Sequence, residues 1–238
     1  MLFKQKLNIV IILSTFISYN IFAGTLVGKV DFKGKSPKRK ALKMDADPVC
    51  GSSHDNKVLN ESFIIDDKNN IKNVMVWIKD VKHNIPVPKE PAILDQRGCI
   101  YFPHVQGIRK GQEVVIKNSD ATLHNIHSMA KDNKKFNFAM PKVVKEKKVK
   151  FDKTEDPFYI KCDVHPWMKA WVGVFDHPFF AVTDKNGNFK IDNIPSGTYE
   201  VIAWQEKFKM KKHLSATVTI GDGSTTQNFT FIRPAKKK

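Results

Sequence analysis

The sequence predicts an all-β protein built from two β-sandwiches. Three observations lead there. Short runs rich in β-branched and aromatic residues, such as Val74-Met75-Val76-Trp77-Ile78-Lys79, recur along the chain. Turn residues such as Gly107, Gly111, Asn118-Ser119 and Asp156-Pro157 break them at irregular intervals, as in a sandwich. No apolar repeat of helical period is sustained.

Residues 1–23 read as a secretory signal peptide. Lys4 and Lys6 give its positive start, Leu7 to Phe22 its largely apolar core, and Ala23-Gly24 a small residue for cleavage. The run is short and interrupted for a spanning helix, so cleavage and export with no membrane span are expected. About 215 residues then remain, room for one large or two small domains. Thr25 to Phe32 alternates as a strand, and Lys33-Gly34-Lys35-Ser36-Pro37 ends it. Lys38 to Asn60 is polar and irregular, with a turn at Asp47-Pro48 and Cys50 as its tether. The strand at Val74 follows, and Ile85 to Pro91, carrying Pro86, Pro88 and Pro91, reads as an extended linker.

In the central block Cys99–Phe102, Glu113–Lys117, Val149–Phe151, Phe158–Lys161 and Ala170–Phe175 are strand-like. Lys142 to Lys150 is open to a short helix or to the flank of a strand. The last block begins with Ala181 to Ile191, a strand pair joined at Asn186-Gly187, a favoured hairpin turn. Ile194 to Trp204 reads as turn then strand, and Ala216–Ile220 and Asn228–Ile232 complete the sheet. Residues 234–238 form a basic tail.

Chemistry concentrates in Tyr159-Ile160-Lys161-Cys162-Asp163-Val164-His165-Pro166-Trp167-Met168. A thiolate, an imidazole and a thioether at Cys-x2-His-x2-Met spacing are donors that copper prefers, and a second imidazole would complete a trigonal set with a weak axial Met. Alone, Cys162-x2-His165 also describes a buried thiol beside a surface imidazole, and Met168 would suit a core. Upstream, Lys117 to His127 supplies the further His, and His124 is the choice; His127 reads as a hydrogen-bonding or surface residue. Zinc is less natural, because its structural sites rarely use a thioether.

Asn118 through His127, followed by Phe158-Tyr159-Ile160-Lys161-Cys162, His165-Pro166, Met168 and Ala170-Trp171-Val172-Gly173-Val174, resembles the cupredoxins, the amicyanin and plastocyanin branch in particular. The resemblance covers residues 92 to 176 and implies a Greek-key β-sandwich binding one type 1 copper through His124, Cys162, His165 and Met168. Asn125 matches the residue that ties the two ligand loops together in that family. Cys162 must then stay free as the thiolate ligand, which leaves Cys50 and Cys99 as a disulfide, consistent with export. Cys50-x3-His54, with His104, stays open as half of a second metal site.

The pattern Thr183-Asp184-x2-Gly187-x-Phe189 followed by Ile194-Pro195-x-Gly197-Thr198-Tyr199 resembles the carboxypeptidase regulatory-like, or transthyretin-like, β-sandwich domains. In those domains a Gly-x-Val strand and a Val-x-Val strand come first. Here both precede the copper-like block, as Gly28-Lys29-Val30 and Val74-Met75-Val76-Trp77. The expected organisation is therefore a discontinuous sandwich, residues 24–85 with 177–233, into which a cupredoxin-like domain, residues 86–176, is inserted. A simple tandem is the alternative.

The formal charge is +16, or +14 once Lys4 and Lys6 leave, and nearly all of it is lysine. An exported chain without an aromatic-and-Arg motif does not suit nucleic acid. A basic surface suits an acidic protein redox partner or a hold near anionic lipid, and a plain solvated lysine surface is equally compatible. The implied function is single-electron transfer at one blue copper in the periplasm. The alternatives are a copper carrier or sensor, to which Met129 and Met140 would contribute thioethers, and an envelope binding module whose metal is structural or absent. An enzyme is not expected, because four ligands leave no open position and no Ser/His/Asp or paired-carboxylate arrangement stands out.

Overall fold

Alternate residues of the first strand, β1 (Ala23–Lys33), point inward: Leu26, Val30 and Phe32 are buried while their neighbours are half-buried or exposed. The computed structural model describes residues 23–208 and 213–233. Apart from Ala23, the predicted signal peptide lies outside the described residues, as does the basic tail. After β1 come a four-residue helix, α1 (Pro48–Gly51), a small ladder of β2 (Ile64–Ile65) and β3 (Ile71–Lys72), and β4 (Met75–Ile78), buried throughout.

The central block holds β5 (Ala92–Arg97), β6 (Ile100–Phe102), β7 (Val105–Arg109), β8 (Glu113–Asn118), β9 (His124–Ser128), β10 (Asn137–Met140), β11 (Glu146–Lys150), β12 (Glu155–Lys161) and β13 (Lys169–Phe175). They form two sheets, ordered β10-β9-β12-β13-β7 and β11-β8-β5-β6. Leu94, Ile116, Ile126, Phe158 and Val172 fill the core between them.

The chain closes with β14 (Phe180–Val182), β15 (Asn188–Pro195), β16 (Gly197–Trp204), β17 (Leu214–Ile220), β18 (Ser224–Thr226) and β19 (Phe229–Ile232). These late strands take the early ones as partners. β1 pairs antiparallel with β15 and parallel with β18 and β19, while β4 lies between β14 and β16. Leu26, Val76, Phe189, Val201, Val218 and Phe231 share the resulting second core. The protein is thus all-β, in paired sheets, as its sequence predicts. Among the described residues no helix is long and apolar enough to cross a membrane.

Several local expectations change. The strands flanking Asn186-Gly187 do not pair with each other: β14 bonds β4 and β15 bonds β1, in separate sheets. The turn is real, with Gly187 at φ +72°, where an added Cβ would meet the Val30 carbonyl oxygen at 2.6 Å. It is a corner between sheets, with β14 ending one and β15 ending the other. β17 and β19 likewise join different sheets. Asp47-Pro48 opens α1, with Pro early in the helix and the Asp47 side chain accepting from the Val49 and Cys50 amides. Lys142 to Lys150 yields the strand β11, and β12 runs through Asp156-Pro157 with a register shift.

A third apolar cluster joins the two cores. Met75, Trp77, Ile202 and Trp204 come from the β4–β16 sheet, and Val105 and Phe175 from the central block. The seat is made by Gly107 and Gly173, register partners on β7 and β13. A Cβ on Gly107 would come within 2.4 Å of the Phe180 ring, and one on Gly173 within 2.6 Å of Met75 Sδ. Trp171 packs on Trp204 with ring centroids 4.8 Å apart, and its indole N–H donates to Glu206.

Candidate metal centre

Two neighbouring strands bring the sequence-predicted donors together. β9 pairs with β12 through His127↔Lys161 and Ser128↔Ile160. Continuing that register past Lys161 sets Cys162 and Asp163 beside Ile126 and Asn125, with His124 next in line. Lys161 also pairs with Lys169, so residues 162–168 form the loop of a β12–β13 hairpin. The loop is held by its own backbone: Cys162 N donates to Met168 O (3.3 Å) and Met168 N to His165 O (2.9 Å).

His124, Cys162 and His165 converge. Their donor atoms lie within 4.8 Å of one another, and the residues are 0%, 1% and 2% exposed. The two Nδ1 atoms stand 3.0 Å apart, and Cys162 Sγ is 3.8 Å from His165 Nδ1. Met168 is buried on the same loop and shares the apolar cluster of Cys162. Two amides donate to the sulfur, from Asn125 at 3.4 Å and from His165 at 3.3 Å. Asn125 also accepts from the Asp163 amide at 2.6 Å, bridging β9 to the ligand loop, and its side-chain amide donates to Asn137.

The outer edge of each imidazole meets a carboxylate. His124 Nε2 is 2.8 Å from Asp120 Oδ2, and His165 Nε2 is 3.1 Å from Asp47 Oδ2. Sequence reading missed both acids. Asp120 stands four residues before His124, a spacing open to notice, whereas Asp47 is 118 residues from His165 and carries no local signal. Cys50 and Cys99 are joined in a disulfide, and Cys162 is free and buried. The alternative site at Cys50-x3-His54 is therefore closed: Cys50 is bonded to Cys99, His54 Nε2 meets the Gly98 carbonyl at 2.6 Å, and His104 lies against Glu206 at 3.6 Å. His127 pairs outward with Asp163 at 2.9 Å, and Lys161 takes the other oxygen of that acid at 2.7 Å.

These surroundings bias the protonation states. Burial works against the charged form of His124, but Asp120 and Cys162 outweigh it and lift the imidazole to about 8. Burial likewise opposes the Cys162 thiolate, yet His124 and the backbone amides at the sulfur bring its pKa down. His165 moves the other way, lowered mainly by burial against the pull of Asp47.

The donor set fits a soft or borderline cation. When each Nε2–H is given to its carboxylate, both neutral rings turn an Nδ1 lone pair to the shared space, 3.0 Å apart, beside a sulfur whose pKa is drawn down. With His124 lifted to about 8, a proton stands between those two nitrogens in the metal-free chain at neutral pH, and a bound cation would take its place. One thiolate, two imidazoles and a neighbouring thioether form the combination that suits copper.

No curated protein matches this sequence. The family model of polysaccharide lyase family 4, domain II, matches residues 167–228, the stretch from the end of the ligand loop into the late strands. Among solved structures, the chain is similar to the Cu-containing nitrite reductase of Thermus scotoductus SA-01, with 19% identity and a TM-score of 0.34 over 41% of this chain and 24% of that one. It therefore spans about a quarter of that enzyme's length. It is also similar to a purple cupredoxin from Nitrosopumilus maritimus, at 23% identity and TM-score 0.30 over 35% of this chain and 98% of that one. A Cu(I) amicyanin mutant aligns at 19% identity and TM-score 0.32, over 42% of this chain and 97% of its own. These likenesses are partial and carry no activity across.

Proposed function

We propose that this chain is an exported type 1 copper protein that passes single electrons between protein redox partners. The observation that carries the reading is the convergence of one buried thiol and two buried imidazoles, Nδ1 facing Nδ1, at the end of one sheet. Copper bound there would supply a one-electron couple, and one thiolate with two imidazoles and a thioether is a donor set that suits both of its oxidation states. Cys162 would contribute the sulfur, His124 and His165 their Nδ1 atoms, and Met168 a thioether. The amides of Asn125 and His165 draw charge from the sulfur and so tune the potential. Burial of all four donors keeps bulk water from them.

The rest of the chain supports the same reading. A signal-like start and a disulfide fit export, in a Gram-negative host to the periplasm. β1 and β4 pair with strands that follow residue 179, which suits a carboxypeptidase regulatory-like sandwich carrying residues 86–176 as an insert. The lysine excess fits an acidic partner. Four donors leave no position for a substrate, so the centre is read as a shuttle and not a catalyst.

Loading with copper(II) should give an intense visible band from thiolate-to-metal charge transfer, and Cys162→Ser should abolish it. A colourless loaded protein, or a band that survives that substitution, would overturn the reading. Reversible redox cycling is expected of a shuttle; loss of the ion on reduction would mark a carrier instead.

A further inference from the structure

We infer that Asp47 and Asp120 are the positioning residues of this centre, and that the Cys50–Cys99 disulfide is the clamp that holds both against the imidazoles. The inference rests on the copper reading above and names what orients its ligands.

Each carboxylate spans an imidazole and a backbone anchor. Asp47 Oδ2 meets His165 Nε2 at 3.1 Å and accepts from Thr122 Oγ1 at 2.8 Å, while Oδ1 accepts from the Val49 and Cys50 amides at 2.8 and 3.3 Å. Asp120 meets His124 Nε2 at 2.8 Å and accepts from the Gly98 and Cys99 amides at 2.7 and 2.9 Å. The disulfide thus joins one anchor of each acid, Cys50 behind Asp47 and Cys99 behind Asp120. Its Cys50 sulfur lies 3.8 Å from His165 Nε2. The sulfur pair stands at the outer edges of the rings, away from the side that faces Cys162.

The chemical consequence is tautomer control. An imidazole that gives its Nε2 proton to a carboxylate presents a lone pair at Nδ1 in a fixed direction, and is a stronger donor for it. Asp120 lies close to its ligand in the chain. Asp47 does not: it arrives on a segment whose regular structure is α1 and the single bridge Ala41↔Leu59. The covalent bond at Cys50 therefore fixes the distant acid at the ring edge, and in doing so covers His165.

The test compares the wild-type chain with Asp47→Leu, Asp47→Asn, Asp120→Leu and the double variant Cys50→Ala/Cys99→Ala. In metal-free protein, nitrogen-15 NMR of the imidazole reads which nitrogen of His165 carries the proton. After loading with copper(II), competition with a chelator reads affinity, and visible absorption reads the charge-transfer band. The wild type is expected to hold the His165 proton on Nε2. Asp47→Leu and the disulfide variant should both lose that preference and bind copper about 10- to 100-fold more weakly. Asp120→Leu should weaken copper to a similar degree through His124. Asp47→Asn keeps the helix cap through its single oxygen but turns an NH2 donor toward His165 Nε2, so it should fold as the wild type does and yet lose the Nε2 preference and bind copper about as weakly as Asp47→Leu. A blue wild type whose band and affinity survive in Asp47→Leu overturns this inference alone, as does a His165 proton found on Nδ1. A wild type that never turns blue overturns the copper reading, and this one with it.

Discussion

His177 shows what burial, as the dominant influence, does to an imidazole. It is 4% exposed, its Nδ1 accepts the Phe179 amide at 3.1 Å, and burial pushes its pKa down to about 4 against a weaker upward pull from Asp176. Above the ordinary histidine value of about 6.5 neither the folded nor the unfolded chain holds the proton, and stability is unaffected. Between that value and about 4 the unfolded chain takes up a proton that the folded chain refuses, so stability falls as pH falls. The loss is about 1.4 kcal/mol for each pH unit in that window. Urea midpoints at about pH 7 and 5 should diverge in the wild type and lie closer together in His177→Gln. At the candidate metal centre the expected donors stood out in the sequence because three sit on one short loop and their chemistry is distinctive. Asp47 and Asp120 did not, since a carboxylate announces no role until the fold sets a ring against it.

Among elements, β7 and β13 carry the sharpest packing constraint. Gly107 and Gly173 face each other in register, and the Phe180 ring and Met75 Sδ fill the space their missing side chains leave. Valine at either position is expected to cost about 1–3 kcal/mol by overpacking, read from chemical denaturation. The double variant should cost less than the sum, because both changes displace the same seat. Strands rich in Val, Ile and aromatics, such as β4 and β13, were evident in sequence. β9 was not: His124-Asn125-Ile126-His127-Ser128 reads as polar, yet four of its five residues are buried. Its polar groups are satisfied by Asp120, Cys162 and neighbouring strands, so local propensity is overridden where the site is built. The Asn186-Gly187 turn was legible as a turn but not as a corner, because a short pattern records backbone shape and not which distant strand will pair.

At the scale of the whole molecule, the all-β class followed from the absence of any helical period together with frequent turns, and the pairing of the chain's first strand with its last followed from nothing local. Trp77 lies opposite Phe180, and the Ile78 amide bonds the Phe179 carbonyl at 3.1 Å. Everything between therefore leaves and re-enters through one doorway a single strand spacing wide. The doorway could be shut: with residues 79–178 replaced by Asn-Gly, β4 and β14 would become an ordinary hairpin. With Cys50, whose disulfide partner leaves with that block, changed as Cys50→Ser, the shortened chain is expected to fold cooperatively, keeping only Trp77 and Trp204 of the four tryptophans. Both line the junction, so red-shifted tryptophan emission from a cooperatively folding protein would show the frame standing without its tenant. Emission and denaturation profiles of an unfolded chain would show instead that frame and tenant fold as one.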